Sequence, residues 1–102
     1  MTVRHRWTVL ENRICCEEYV KNYLISNSSL SGSEFVDQIL SKIPALSSIP
    51  VQSLRMKVSN TRAIVEDLSL CSKDSYCGRA LPHYSSVHRK EMEQVLKNYS
   101  LI

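Results

Sequence analysis

The stretch from Pro50 to Leu68, PVQSLRMKVSNTRAIVEDL, spaces Leu54, Val58, Thr61, Val65 and Leu68 at intervals of four, three, four and three. Side chains at that spacing stack on one face of an α-helix. Pro50 suits a first helical turn, with Ser48 or Ile49 before it, because its fixed φ is already helical and its missing N–H is not needed there. A helix of this kind must bury its apolar stripe against other elements. The stripe is therefore expected in a core. Gln52, Met56, Ser59 and Ala63 then form the opposite face, with Ser53, Arg55, Lys57, Asn60 and Arg62 on the flanks.

Three further helices are legible. Thr8-x-x-Glu11 has capping-box spacing, in which the threonine oxygen accepts from an early amide and the glutamate reaches back to the Thr8 amide. The helix it opens is expected to run to Leu24 or Ile25 and to bury Cys16, Tyr19, Val20 and Tyr23, with Leu10 near the start. The serine-rich stretch 26–33 reads as a loop. Ser31-x-x-Glu34 repeats the box, and Phe35, Val36, Ile39, Leu40 and Ile43 follow at the helical period until Pro44. Ser85 or Ser86 caps a last helix to about Tyr99, with Met92, Val95 and Tyr99 on one face.

With 102 residues, the chain fits one domain and a single modest core. Two glycines and three prolines are too few to punctuate many strands and turns, so the composition favours helices. The expected fold is all-α, a three-helix helix-turn-helix core with an additional C-terminal helix. Residues 1–6 form a flexible basic arm, 7–70 the three-helix core, 71–84 a loop and 85–100 the C-terminal helix. No long apolar run follows the N-terminal basic residues, and no stretch approaches the roughly 20 apolar residues of a membrane span. The expectation is a cytoplasmic protein with no membrane partner and reduced cysteines.

Several chemistries fit poorly. Cys71, Cys77, His83 and His88 are the right ligand types for zinc. Their spacing is wrong, because five residues separate Cys77 from His83 where a two-Cys, two-His finger needs about twelve. Cys15 and Cys16 are neighbours on a helix and point about 100° apart, which suits packing better than metal binding. Glu17 and Glu18 diverge likewise, and no phosphate loop or nucleophile elbow occurs. No cofactor, metal or enzyme activity is expected.

The polar surface of the 50–68 helix is more informative. Asn and Gln can pair with adenine and Arg or Lys with guanine, while Ser and Arg serve phosphates. Gln52, Ser53, Arg55, Lys57, Ser59, Asn60 and Arg62 are therefore candidate contacts to double-stranded DNA, and Arg4 and Arg6 of the arm are candidates for an adjoining groove. The net charge of +3 adds little. Residues 31–50 are net negative, with Lys42 against Glu34 and Asp37.

Two short motifs extend this reading. Arg6-Trp7-Thr8-x-x-Glu11 resembles the opening of Myb/SANT-like helix-turn-helix domains. SLRMKVSN, residues 53–60, resembles Ser-(Val/Leu/Ile)-x-Met-Lys-(Leu/Val)-x-Asn of N-terminal domains in HNH-type restriction endonucleases and related bacterial defence or mobile-element proteins. LPHYSSVHRK, residues 81–90, is similar to their continuation. The resemblance implies a DNA-binding specificity domain, with Trp7 structural and Lys57, Asn60, Arg55 and Arg62 as contacts. The chain departs from Myb repeats in having one tryptophan, so Tyr19, Tyr23 and Phe35 would complete the aromatic core. No HNH histidines and asparagine follow within these 102 residues, so the expectation is a stand-alone DNA-binding protein, a domain of a larger one, or a chain turned to binding proteins. The expected function is non-catalytic DNA binding by a small regulator or specificity domain. The alternative is a protein-interaction module, such as a phage or mobile-element inhibitor or adaptor, using the same polar helix or the acidic 31–50 segment.

Overall fold

The computed structural model describes residues 5–70 and 84–102. Four α-helices account for most of them: α1 (Val9–Tyr19), α2 (Gly32–Gln38), α3 (Val51–Asp67) and α4 (Ser86–Asn98). The fold is all-α. No described helix is long and apolar enough to cross a membrane.

Local chemistry sets most boundaries. Thr8 Oγ1 accepts from the Glu11 N–H at 3.1 Å while Glu11 Oε1 accepts from the Thr8 N–H at 2.9 Å, closing the first capping box. Ser31 and Glu34 close the second, with both bonds at 3.1 Å. Ser85 Oγ accepts from the His88 N–H at 3.1 Å and starts α4. α1 continues as a π-helical segment, Val20–Ile25. Asn22 Nδ2 donates to the Glu18 carbonyl at 2.7 Å, the acceptor that an α-register assigns to the Asn22 N–H. Asn27, at φ 51°, then turns the chain away.

α2 is shorter than the expected run to Pro44. It stops at Gln38, and two 3₁₀ turns, Leu40–Lys42 and Pro44–Leu46, carry the chain onward. Ile43 is extended, at ψ 123°, as the residue before a proline must be. These turns still bury Leu40 and Leu46, so the apolar pattern of this region serves the core without a continuous helix. α3 begins one residue later than a first-turn proline implies, because Pro50 stands at the cap position with ψ 137°.

α1 packs chiefly on α4 and α2 on α3, while α1 and α4 also touch α3. One apolar cluster runs through all of them, including Cys16 and Val20, Phe35 and Val36, Leu54 and Ile64, and Met92, Val95 and Leu96. The C-terminal helix is thus a full member of the core. Tyr23 contacts Phe35 edge-on at 5.1 Å, and its hydroxyl donates to the Leu30 carbonyl at 2.8 Å, fastening the 26–31 loop. Tyr19 also meets Phe35 edge-on, at 6.3 Å, so Tyr19, Tyr23 and Phe35 form one aromatic cluster.

Two placements differ from the sequence expectation. Leu10 is 61% exposed and its neighbour Val9 59%, so the start of α1 lies outside the core. α3 is buried more broadly than its stripe. Every residue from Thr61 to Val65 is buried, since neighbouring helices cover this turn from several sides. Ala63, expected to face solvent, lies inside as a result.

Candidate nucleic-acid interface and an adjoining cavity

That central position of α3 redistributes its polar residues. Arg62 is 3% exposed and donates from Nε to Glu66 Oε1 at 3.1 Å. Lys57 is 8% exposed. Neither presents its charge to an incoming duplex, which corrects the expectation that both are DNA contacts. The physical reason is that a flank of a one-sided helix becomes interior when a second helix packs there. Gln52, Arg55 and Met56 remain exposed, and Ser59 is half-buried on the same face. The spacing 52, 55, 56, 59 is one helical stripe. Arg55 reaches Asp37 of α2 at 3.5 Å, with both side chains about half exposed, so the pair is weak and open to exchange. Ser53 and Asn60 are half-buried beside this stripe, and Arg6 is exposed. Arg4 lies outside the described residues.

The arm is not independent of α3. Glu11, already the capping residue, also holds His5 Nε2 at 3.0 Å. The Thr8 amide is the main influence holding the Glu11 carboxyl below its ordinary value, opposed by partial burial and helped by His5. His5 meets the Trp7 ring edge-on at 5.0 Å, and Lys57 Nζ lies 4.5 Å from the centre of that ring. The cation on the π-face joins the start of α1 to the middle of α3. Burial pushes the Lys57 amine below its usual pKa. Its nitrogen has no hydrogen-bond acceptor or carboxylate partner among the described residues.

His88 supports Lys57 from the far side. Thr61 Oγ1 donates its one proton to the Lys57 carbonyl at 2.7 Å. It can then only accept from His88 Nε2, 2.9 Å away. His88 is therefore the Nε2–H tautomer, and its buried Nδ1 has no partner among the described residues. Burial above all, and then the Lys57 charge, push the His88 imidazole down to about 3, so it is neutral at physiological pH. This histidine was a zinc candidate in the sequence. Its Nε2 is already bonded, while Cys71, Cys77 and His83 lie outside the described residues. The signal that could have placed it inside was Ser85-x-x-His88 followed by Met92 and Val95, a four-three continuation of the α4 stripe.

Between these elements lies a cavity of about 290 Å³. Its walls are His5 and Trp7 from the arm, Ser53, Met56, Lys57 and Asn60 from α3, and Ser85 and His88 from the start of α4. The four fixed positions of the SLRMKVSN motif, Ser53, Met56, Lys57 and Asn60, all face one cavity together with the tryptophan of the other motif. Their spacing of three, one and three residues covers a single helix flank, and Trp7 closes it. Comparison with protein-family models, curated proteins and solved structures finds no match for this chain.

Proposed function

We propose that the protein is a non-catalytic binder of double-stranded DNA that lays the Gln52–Arg55–Met56–Ser59 stripe of α3 in the major groove. In this reading α2, the 3₁₀ turns and α3 act as a helix-turn-helix, and Ser53, Asn60 and Arg6 contact the flanking backbone. The observation that carries it is the attachment of the arm to α3. Lys57 on the Trp7 ring fastens the residue after Arg6 to the middle of a helix that has no carboxylate of its own before Glu66. Glutamine and arginine on an exposed helix face are the side chains that read adenine and guanine edges.

Fluorescence anisotropy of a labelled duplex, titrated with protein at several salt concentrations, tests the proposal. Affinity should fall linearly with log salt, with a slope of about 0.9 per phosphate contacted. Arg55→Ala should weaken binding about tenfold without unfolding the protein, since Arg55 is exposed. Absence of binding at low salt would overturn the reading. Exposed Met56 and Val51 favour the second reading, a protein-interaction module on the same face. Such a complex would tolerate salt and survive Arg55→Ala better than Met56→Ser.

A further inference from the structure

The cavity behind the α3 stripe has the wrong chemistry for a simple packing void. Voids in a core are apolar and dry. Here a lysine only 8% exposed lines the wall, and no Asp or Glu among the described residues lines any part of it. The Ser53 and Asn60 side chains, on the same wall, have no hydrogen-bond partner among the described residues. Ser85 Oγ accepts from the His88 amide but keeps its own proton to donate. As the cap of a 13-residue helix, Ser85 also marks where the free first-turn amides of α4 begin. Ser53 and Asn60 are half-buried and Ser85 exposed, so their free donors are open to an incoming ligand, whereas Lys57 is a buried cation with no counter-charge among the described residues, which is costly. The unmet demand is for negative charge and for acceptor oxygens.

We propose that this cavity is a binding site for a phosphate monoester, its oxyanion held by Lys57, Asn60 and the hydroxyls of Ser53 and Ser85. The phosphate neutralises the lysine and accepts from donors on two helices, with the α4 N-terminus adding its partial positive charge. A volume of about 290 Å³ exceeds that of a bare tetrahedral anion, and Met56 offers an apolar wall to the substituent. The ester can be a small metabolite or the terminal phosphate of a nucleic-acid strand, which share this headgroup. The site shares Met56, Ser53 and Asn60 with the proposed duplex-binding face but does not include Arg55, so Lys57 and Asn60 can hold a phosphate whether or not Arg55 meets DNA.

Trp7 is the single tryptophan, so its indole N–H gives one resolved NMR signal at the cavity wall. Thymidine 5′-monophosphate, titrated to about 10 mM at constant ionic strength, should shift it saturably, while thymidine should not. Lys57→Met should abolish the shift. Asn60→Ala, at a half-buried position that tolerates truncation, should weaken it about tenfold and serves if Lys57→Met fails to fold. Arg55→Ala should leave the response intact, which separates this site from the DNA reading. A 5′-phosphorylated oligonucleotide that binds where its 5′-hydroxyl twin does not identifies a strand terminus as the source. A response to the mononucleotide alone identifies a free ester. No shift with either phosphorylated probe, an equal shift with thymidine, or an unchanged response in Asn60→Ala would overturn the proposal.

Discussion

Acid should weaken this fold before its carboxylates protonate, and His88 is the reason. In the folded chain burial pushes its pKa from 6.5 to about 3. The unfolded chain takes up a proton as the pH falls through 6.5, and the folded chain resists until about 3, so stability is lost as the pH drops between those values. Each unit of difference is worth about 1.4 kcal/mol. Between pH 7 and pH 5 the loss is about 2 kcal/mol, rising to about 4 kcal/mol near pH 3. A domain of this size has roughly 5–15 kcal/mol in total. The Glu11 carboxyl, held below its ordinary value of 4.5, acts in the same direction but only at lower pH. Urea unfolding followed by circular dichroism at pH 7 and pH 5 measures the difference directly. His88→Gln keeps a neutral N–H donor toward Thr61 and removes the titration, so it should remove most of the pH dependence even if it lowers stability at pH 7. Equal stability of the parent protein at both pH values, or the same loss in His88→Gln, would refute the reasoning.

Three further expectations follow from the packing. Thr8→Ala removes the acceptor for the Glu11 amide and should cost about 1 kcal/mol, visible as a drop of several degrees in the thermal midpoint. Phe35→Ala empties a fully buried site and should cost about 3–5 kcal/mol in urea unfolding, whereas Leu10→Ala should stay within about 0.5 kcal/mol. In a Cys71→Ser, Cys77→Ser background, a thiol reagent should leave the folded protein unmodified. Burial pushes Cys15 up to about 12 and raises Cys16 as well, so the two thiols should react only once urea unfolds the chain.

The local signals in this chain were strong where short-range chemistry decides the outcome. Thr8–Glu11, Ser31–Glu34 and Ser85 mark helix starts because a side chain three residues from an amide can reach it in almost any surrounding fold. The stripe through Leu54, Val58, Thr61 and Val65 was legible for the same reason, since helical period alone brings those residues to one side. The break in the second helix was less legible. Its apolar residues serve the core equally well from 3₁₀ turns, so hydrophobic spacing does not tell the two apart.

The candidate site was legible only in part. Period alone distinguishes one buried face from the rest, and so it assigned Lys57 and Arg62 to the surface with the other polar flank residues. How many neighbours α3 has is a property of the assembled bundle. Packing against α1, α2 and α4 turned two of its charges inward and left Gln52, Arg55, Met56 and Ser59 outside. The motifs around Trp7 and Ser53–Asn60 are far apart in sequence, and no local rule joins them. The folded chain brings Trp7 over Lys57 and sets Ser85 and His88 opposite, because closing α1 and α4 onto α3 makes one wall from three distant segments. Helix positions and caps follow from interactions within a few residues and are written in the sequence; the cavity and the buried lysine on its wall follow from long-range packing, which only the tertiary structure decides.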